Sequence, residues 1–442
     1  MSGATAHNGT READLFFGRQ AEIAWLVEKL ERDERLLVVH GPSGVGKTAL
    51  LRRLVRYWQH EVVASRYVPV YLDVARAADW GDASPLLQIA GEMGRSVRAQ
   101  TNARLPPPEA TAFAADPAAA WRAYVSLCAG QIEDRRLLLL VDGLDSALDA
   151  ELDGASLWLR ALLDAPAPLV LAVTDPAVIG ELCPAETVSV LPLGPLESEA
   201  AEALLKASLG KGVQIDPWAT RRVLEVTSHS PIYLRRFAEM LLECCTTKTI
   251  LMQPDVDTAL EMLLDRSLAE FSVAWRELHG NEQFVLASLG ALRGTRGAAT
   301  QYDVRAVCDQ YGYPLSWDEI LEALNGLAER GILEKLGSNN YRFSIELFRL
   351  WVHRHRPPDY VLRDGAWRSG SQLAAYQVSK VVRALGRRPT LLMSLAAVLL
   401  VLILVALQPI FGGRNPPRGS RRTPTPVAVA GVTRVALEST RS

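Results

Sequence analysis

The chain has 442 residues, 49% of them hydrophobic and 22% charged, with a formal net charge of −2. This length exceeds what one hydrophobic core holds, so we expect two to four domains. The near-neutral charge argues against a protein that binds nucleic-acid phosphate over a large surface, because such proteins are usually basic. The five cysteines are scattered without a C-x-x-C pair, which argues against a zinc site and indicates buried thiols in a reducing compartment.

A glycine-rich loop is the most informative part of the N-terminal region. Residues 1–14 are polar, lack a secretory signal and are predicted to be disordered, and a helix is predicted over 20–31. An apolar run at 36–40 then leads into eight residues that fit G-x-x-x-x-G-K-[ST], namely Gly41, Pro42, Ser43, Gly44, Val45, Gly46, Lys47 and Thr48. Glycines let backbone N–H groups approach a phosphate chain, and the following helix adds partial positive charge.

The last two residues of this loop carry the predicted chemistry. Lys47 is predicted to reach the β- and γ-phosphates of a nucleotide, and the Thr48 hydroxyl is predicted to bind Mg²⁺. The alternative is a glycine turn that only joins a strand to a helix. The strand–turn–helix context favours nucleotide binding.

Two predicted strands follow, and the second ends in an acid. Pro69 indicates that the strand at 68–73 lies near a sheet edge, whereas five apolar residues at 137–141 suit a strand buried on both faces. Asp142 stands where that strand ends, and ligands bind at this edge of open α/β sheets. Asp142 is therefore a candidate Mg²⁺ ligand and catalytic residue, with an ordinary turn aspartate as the alternative.

Strands at 169–174 and 187–191 complete a predicted sheet of five strands that alternate with helices. Thr174 is the last residue of the first of these strands. It is a candidate catalytic residue that senses the γ-phosphate or the attacking water. The alternative is that it caps the turn that begins at Asp175.

In the sheet region, the longest irregular stretch is a predicted loop at 101–118. From residue 196 the pattern changes to amphipathic helices alone, predicted at 197–209, 217–227, 231–245 and 256–271. Ser230 is suited to cap the third helix, and Pro231 is suited to its first turn.

A winged helix is predicted next, from three helices and a hairpin whose turn contains Gly337. The third helix, at 317–330, is rich in acids: Asp318, Glu319, Glu322 and Glu329. Because such a helix repels phosphates, we expect no specific nucleic-acid partner.

An uncharged, almost wholly apolar stretch at 389–411 predicts a single transmembrane helix, since a span needs roughly 20 residues. Both flanks are basic, so the positive-inside rule does not decide the orientation. A nucleotide loop needs ATP, and we therefore expect the N-terminal domains to lie in the cytoplasm.

Residues 15–356 resemble the STAND and archaeal-type (Orc/Cdc6-related) branches of the AAA-like P-loop ATPases. The resemblance rests on the P-loop and on five further segments: Phe17-Gly18-Arg19, VDGLD at 141–145, the stretch 191–205, His229-Ser230-Pro231, and 341–352. It implies a sheet with one strand between the P-loop strand and the acidic Walker B strand, and nucleotide buried between sheet and helical lid. It also implies that Arg19 and Pro231 contact the nucleotide, with the proline packed on the adenine.

Two departures from the family pattern concern catalysis. Gly143 stands where AAA proteins usually carry a glutamate that polarises water, which leaves Asp145 as the candidate for orienting water. The strand end at Thr174 lacks the arginine that this branch often has two residues later. We therefore expect slow ATP hydrolysis.

Two further positions bear on the lid and the winged helix. Ser344 stands near the place of a winged-helix histidine that some members aim at the β-phosphate. Arg235 and Arg236 are candidates for a lid charge, and surface arginines are the alternative.

The sequence thus predicts an α/β fold of the P-loop NTPase type, a parallel five-stranded sheet with a helical lid, then a winged-helix domain and one transmembrane helix. The predicted segments are a disordered N-terminus 1–14, an ATPase domain 15–195, a lid 196–272, a winged helix 273–357, a basic linker 358–388, the span 389–411 and a disordered basic tail 412–442. ATP and Mg²⁺ are the expected cofactors.

The favoured function is a membrane-anchored regulatory ATPase that relays its nucleotide state to a protein partner. A nucleotide-dependent homo-oligomer is also expected. Two alternatives stay open: a non-hydrolysing, nucleotide-bound scaffold for protein interaction, and an origin-like DNA ATPase, which the acidic helix disfavours.

Overall fold

The computed structural model describes residues 16–61, 66–75, 84–132, 134–145, 155–180, 188–266, 268–292 and 298–363. All of them belong to a unit formed by residues 1–369, and residues 370–442 form a second unit. The predicted disordered ends, most of the basic linker and the predicted span at 389–411 lie outside the described residues. Among the described helices, none is both long and apolar enough to cross a membrane.

A parallel sheet of five strands forms the N-terminal region, in the order β2-β3-β4-β1-β5. Its strands are β1 Leu36–His40, β2 Tyr67–Asp73, β3 Arg136–Asp142, β4 Leu169–Val173 and β5 Val188–Pro192. The five-stranded parallel sheet is confirmed, and so is the single strand, β4, between the P-loop strand and the strand that ends at Asp142. The strand with Pro69 lies at an edge, as predicted, because a proline cannot donate to a second neighbour.

Helices cover both faces of the sheet. They are α1 Gln20–Glu31, α2 Lys47–Arg56, α3 Pro85–Gln100, α4 Ala110–Ala115, α5 Pro117–Gly130, α6 Ala155–Leu163 and α7 Ala177–Gly180, and a π-helical turn at Tyr57–Glu61 extends α2. Side chains alternate between the faces along each strand, so Leu138 and Leu140 pack with α1 and α2, whereas Leu139 and Val141 pack with α3 and α5. This two-sided burial explains why β3 is wholly apolar from Leu137 to Val141.

One part of the predicted loop at 101–118 is wrong, since α4 forms there. Its sequence is rich in alanine, the best helix former, and Phe113 anchors it in the core at 2% exposure. Asp116 then starts α5, because its side chain accepts a hydrogen bond from the Ala119 N–H at 2.9 Å.

Helices dominate the chain after the sheet: α8 Ser198–Leu209, α9 Pro217–Thr227, α10 Pro231–Cys244, α11 Gln253–Asp265 and α12 Ala269–Arg276, with a short parallel pair β6 Gln214–Ile215 and β7 Ile250–Leu251. The single helix predicted at 256–271 is wrong. Asp255 accepts the Met252 N–H at 2.9 Å and so starts α11 earlier, and the extended backbone of Arg266 ends it.

The last described part combines helices with a three-stranded antiparallel sheet in the order β8-β10-β9. Its elements are α13 Gly280–Ala291, β8 Ala298–Thr300, α14 Gln301–Tyr311, α15 Trp317–Glu329, β9 Leu333–Leu336, β10 Asn340–Phe343, α16 Glu346–His355 and α17 Pro358–Arg363. The predicted hairpin is confirmed as β9 and β10, and Gly337 at its turn has a φ of +69°.

One continuous hydrophobic core joins all the elements from Leu196 to Val361. At its centre Phe271 of α12 lies 5.2 Å from Tyr233 of α10 and 4.8 Å from Phe348 of α16, measured between ring centroids. The Ser228 hydroxyl, at the end of α9, also accepts the first N–H of α16 at 2.8 Å. The segments predicted as lid and winged helix therefore pack as one body, and the boundary at 272/273 stays a prediction.

Candidate functional site

A cavity of about 560 Å³ lies where the C-terminal ends of β3 and β4 meet the starts of α2 and α10. The residues around it come from all four elements and from the loops between them. They are Phe16, Ser43, Gly44, Gly46, Lys47, Thr48, Ala49, Arg52, Arg53, Arg56, Asp142, Gly143, Asp145, Ala172, Thr174, Pro231, Ile232, Arg235, Arg236 and Glu239.

The glycines of the loop at 41–48 are required by its shape. Gly44 and Gly46 have φ values of +78° and +107°, in the left-handed region that disfavours other residues. A Cβ at Gly44 would lie 2.5 Å from Ile232 Cγ2, and one at Gly41 would lie 2.3 Å from the Leu193 carbonyl oxygen. The loop therefore keeps its backbone bare beside the N-terminus of α2, which suits a phosphate cradle.

Lys47, the first residue of α2, folds back over its own loop. Its Nζ donates to the carbonyl oxygens of Gly41 at 2.6 Å and Pro42 at 3.2 Å, and it lies 3.4 Å from Thr174 Oγ1. Burial lowers the pKa of Lys47, while the charges of Asp145 and Asp142 oppose that shift. The ammonium thus lies between the loop and the two acids at the sheet edge.

Asp145 and Thr174 are joined to each other by two hydrogen bonds. The Thr174 N–H donates to Asp145 Oδ1 at 2.8 Å, and the Thr174 hydroxyl donates to Oδ2 at 2.7 Å. The alternative role for Thr174, a cap on the next turn, falls instead to Asp175, which accepts the Ala177 N–H at 2.8 Å. Thr174 holds the carboxylate that the sequence singles out for orienting water.

Asp142 is nearly buried, at 7% exposure, and both its carboxylate oxygens accept hydrogen bonds. The Gly143 N–H donates to Oδ1 at 3.0 Å, and the Tyr71 hydroxyl donates to Oδ2 at 2.7 Å. Burial and the bond to Asp142 raise the pKa of Tyr71, so its hydroxyl stays protonated and able to donate.

The residues predicted to hold Mg²⁺ both line the cavity. Thr48 and Asp142 offer a hydroxyl and a carboxylate, which are the hard oxygen donors that Mg²⁺ prefers. Within the described ranges, no three or more His, Cys, Asp or Glu residues group into a metal site of their own. The donor set fits an ion that takes its remaining ligands from phosphate and water.

For Arg19 and Pro231, only the family resemblance implies a contact with nucleotide, and the two residues lie in different places. Pro231 lines the cavity, whereas Arg19 is not among the lining residues. The Arg19 guanidinium donates to the carbonyl oxygens of Val45 at 3.2 Å and Gly194 at 2.5 Å, and pairs with Glu22 at 2.8 Å. In this structure Arg19 braces the P-loop, and its predicted contact with nucleotide stays a prediction.

The predicted side-chain cap on α10 is wrong. Ser230 occupies the capping position, but its hydroxyl makes no capping hydrogen bond. Pro231 in the first turn has no N–H, so this helix start has one unpaired backbone donor fewer. Arg235 and Arg236 of this helix do line the cavity, and Arg236 also pairs with Glu270.

Sequence reasoning missed one wall of the cavity. Arg52, Arg53 and Arg56 lie on one face of α2, and Ile232 and Glu239 lie on a matching face of α10. Arg56 follows Arg53 by three residues and Arg52 by four, and Glu239 follows Ile232 by seven, and these spacings are the signal that predicts a shared helix face. Tyr71 was also missed, because its bond to Asp142 depends on how two strands pair.

The family comparison agrees with this geometry. Residues 15–173 match the family model described as the AAA ATPase domain. The match includes the P-loop, β3 with Asp142 and the whole of β4. Such domains bind nucleotide, usually with Mg²⁺.

Several solved structures are similar to the chain at low sequence identity, and the first of them shares its fold. The chain is similar to a Walker-type ATPase of Pyrococcus abyssi, with 14% identity and a TM-score of 0.56 over 76% of this chain and 96% of that one. An Orc1 protein of Aeropyrum pernix in complex with DNA has 16% identity and a TM-score of 0.38, over 81% and 94% of the two chains. The RuvB Holliday junction branch migration motor of Thermotoga maritima has 15% identity and a TM-score of 0.38, over 74% and 92%. No curated protein matches the chain.

Proposed function

We propose that the chain is a membrane-anchored, ATP-hydrolysing regulatory switch of the STAND/AAA type that relays its nucleotide state to a partner protein. The observation that carries the nucleotide part is the meeting of the P-loop with the two strand ends. Lys47, Thr48, Asp142, Asp145 and Thr174 all line one cavity.

In this proposal the loop from Gly41 to Thr48 holds the phosphates of ATP. Lys47 exchanges its bonds to the loop carbonyls for bonds to phosphate oxygens, which are stronger because both partners are charged. Thr48 and Asp142 hold Mg²⁺, which neutralises negative charge on the β- and γ-phosphates when it is bound. Pro231 lies at the same cavity and packs on the adenine.

Hydrolysis places a water between the γ-phosphorus and Asp145. The water oxygen bonds to the γ-phosphorus, the bond from that phosphorus to the bridging oxygen of ADP breaks with its electron pair on ADP, and the water proton passes to an oxygen of the released phosphate. Asp145 orients the water, and Thr174 in turn orients Asp145 through two hydrogen bonds. Because Asp145 has a shorter side chain than the glutamate that AAA proteins usually use to polarise water, we expect turnover to be slow, as suits a switch.

The lid and winged helix provide the relay. Ile232 of α10 occupies the space beside Gly44 of the P-loop, and α10 belongs to the core that continues to α16. A change in the loop on hydrolysis therefore displaces the lid and the winged helix together. The partner is proposed to read this displacement.

Anchoring rests on the sequence of residues 389–411, an uncharged run long enough to cross a bilayer. We propose a single pass with the ATPase and winged helix in the cytoplasm. Fractionation tests this part: the full chain should sediment with membranes and be released by detergent but not by salt. Recovery in the soluble fraction would overturn the anchor and leave the nucleotide site unaffected.

Calorimetry on the detergent-purified full chain tests the site. Lys47→Ala should weaken ATP binding by about 100-fold or more, because hydrogen bonds to charged groups contribute about 1.5–3 kcal/mol each. Lys206→Ala is the matched control, since Lys206 pairs with Glu202 on the exposed face of α8. Equal affinity in wild type and Lys47→Ala would refute the assigned site.

A scaffold that binds nucleotide without hydrolysing it is the second candidate, and the two hydrogen bonds that engage Asp145 favour it. Asp145→Ala distinguishes the two. A loss of turnover at unchanged ADP affinity supports hydrolysis through Asp145. No difference in phosphate release from wild type would favour the scaffold.

A further inference from the structure

The side chain of Tyr71 reaches Asp142, the predicted Mg²⁺ ligand, from the edge of the sheet and not from the P-loop. Tyr71 lies on β2, which pairs with β3 in a register that sets Tyr71 opposite Leu140 and Asp73 opposite Asp142. The Tyr71 side chain spans this offset, and its hydroxyl donates to Asp142 Oδ2 at 2.7 Å.

This bond fixes the orientation of the carboxylate. Asp142 accepts the Gly143 N–H with one oxygen and the Tyr71 hydroxyl with the other, so rotation of the carboxylate would break at least one bond. A carboxylate has about four lone-pair sites, so each oxygen keeps one for another donor or a metal ion. The two hydrogen bonds therefore decide where the remaining lone pairs lie.

The ring of Tyr71 is held from the other side by α2. The Arg52 guanidinium carbon lies 5.3 Å from the ring centroid, and Arg52 follows Thr48 by one helical turn. Both Arg52 and Thr48 line the cavity. Arg52, Tyr71 and Asp142 thus form a chain of contacts from the helix after the P-loop to the end of β3.

We propose that Tyr71 is a positioning residue that orients Asp142 toward the magnesium ion of a bound nucleotide, with Arg52 holding the tyrosine ring in place. This inference rests on the proposed nucleotide site. It assigns to the edge strand β2 a part in metal binding, although no residue of β2 lines the cavity.

The test separates magnesium binding from nucleotide binding. ADP affinity is measured by calorimetry on the full chain in detergent, once over a series of Mg²⁺ concentrations and once in EDTA. Tyr71→Phe should raise the apparent Mg²⁺ dissociation constant by about 10-fold, the lower end for residues that orient a metal ligand. Its ADP affinity in EDTA should stay within about twofold of wild type, because the loop that holds the phosphates is unchanged.

Tyr67→Phe is the matched control. Tyr67 lies on the same strand and also donates one hydroxyl hydrogen bond, at 2.7 Å to the Leu30 carbonyl oxygen, but away from the cavity. Both variants lose one tyrosine hydroxyl hydrogen bond, which is buried for Tyr67 and partly buried for Tyr71, so a general loss of stability would be at least as large in the control. Equal Mg²⁺ dependence in the two variants would overturn the proposal.

A double variant shows whether Tyr71 acts through Asp142. In an Asp142→Asn background, Tyr71→Phe should no longer change the Mg²⁺ dependence, because the two residues act as one unit. An undiminished effect in that background would overturn the positioning role. If wild type itself bound no ADP, the proposed nucleotide site would fall with it, whereas an unaltered Tyr71→Phe variant overturns the inference alone.

Discussion

The sheet region and the helical region after Leu196 contribute to the cavity in different ways. The sheet presents polar groups that hold one another: Asp145 is bound by Thr174, and Asp142 by Tyr71. The helical region presents one face of a single helix, α10, on which Pro231 and Ile232 lie beside the charged Arg235, Arg236 and Glu239. The sheet thus contributes carboxylates that are held by hydrogen bonds, and the helical region contributes a mixed apolar and charged helix face.

The hydrophobic cores of the sheet region and the helical region also differ. The sheet divides its region into two cores, one on each face, whereas a single core runs from Leu196 to Val361. A displacement of side chains in the core on one face of the sheet has to cross the layer of strand backbone before it reaches the core on the other face. In the helical region no such layer intervenes, so a shift of α10 passes directly to α12 and α16.

The largest expected effect comes from the centre of the continuous core. Phe271→Ala removes the ring that contacts Tyr233 and Phe348, and should lower the free energy of unfolding by about 3–5 kcal/mol. Denaturation in urea measures this. The sheet-side control is Phe113→Ala, which empties a comparable site. Weaker ADP binding in Phe271→Ala alone would support transmission through the core, and equal binding in both variants would contradict it.

A smaller effect is expected where the two regions touch. Gly44→Ala places a methyl group 2.5 Å from Ile232 Cγ2 and strains a left-handed backbone, so it should cost about 1–3 kcal/mol of unfolding free energy. Thermal unfolding without nucleotide measures this loss. Adding Ile232→Ala should recover the part due to crowding but not the part due to backbone strain. A double variant no more stable than Gly44→Ala would show that Ile232 can already move away.

Ser228→Ala should have an effect of about 1 kcal/mol, the usual net contribution of one hydrogen bond. It leaves the Glu346 N–H at the start of α16 without its acceptor. Chemical denaturation compares it with Ser208→Ala, which removes a hydroxyl bonded only within its own helix, to Leu204. A larger loss from Ser208→Ala would argue against the Ser228 bond as a link between α9 and α16.

Thiol labelling is expected to show the smallest effect, but it compares the two regions at single residues. Burial raises the pKa of Cys128 in the sheet region to about 11 and that of Cys308 in the helical region to about 12, from a usual value of 9.0. Because the thiolate is the reactive form, both should resist labelling at pH 8, as peptide mass spectrometry can measure. In Phe271→Ala, labelling should accelerate at Cys308 and not at Cys128. Equal acceleration would mean that the regions open together.

The same pKa shifts set a pH dependence. Unfolded thiols ionise near pH 9.0 and the folded ones only near 11 or 12, so ionisation favours the unfolded state between these values. The stability from these two buried thiols is thus complete below pH 9 and declines above it. Replacing Cys128 and Cys308 by alanine should flatten the urea midpoint against pH from 9 to 10.5. An unchanged slope would assign that decline to other groups.

Much of the fold follows from local pattern. The P-loop, the apolar run before Asp142 and the hairpin at Gly337 each depend on neighbouring residues, and the structure has all three. The contact of Tyr71 with Asp142 depends on strand register, which periodicity does not reveal. The end of α11 depends on the extended backbone at Arg266. The bracing role of Arg19 depends on its left-handed backbone and on long-range hydrogen bonds to Val45 and Gly194.

The fit of Ile232 against Gly44 has a kinetic consequence. In the proposed switch, a nucleotide leaves when α10 withdraws from the P-loop, and the elements packed behind α10 as far as Val361 move with it. The rate of nucleotide exchange then depends on the motion of this whole core. A partner protein that binds anywhere on its surface determines how long the nucleotide stays bound. The residence time of the nucleotide would then be controlled at the far end of this core, remote from the loop that holds the phosphates.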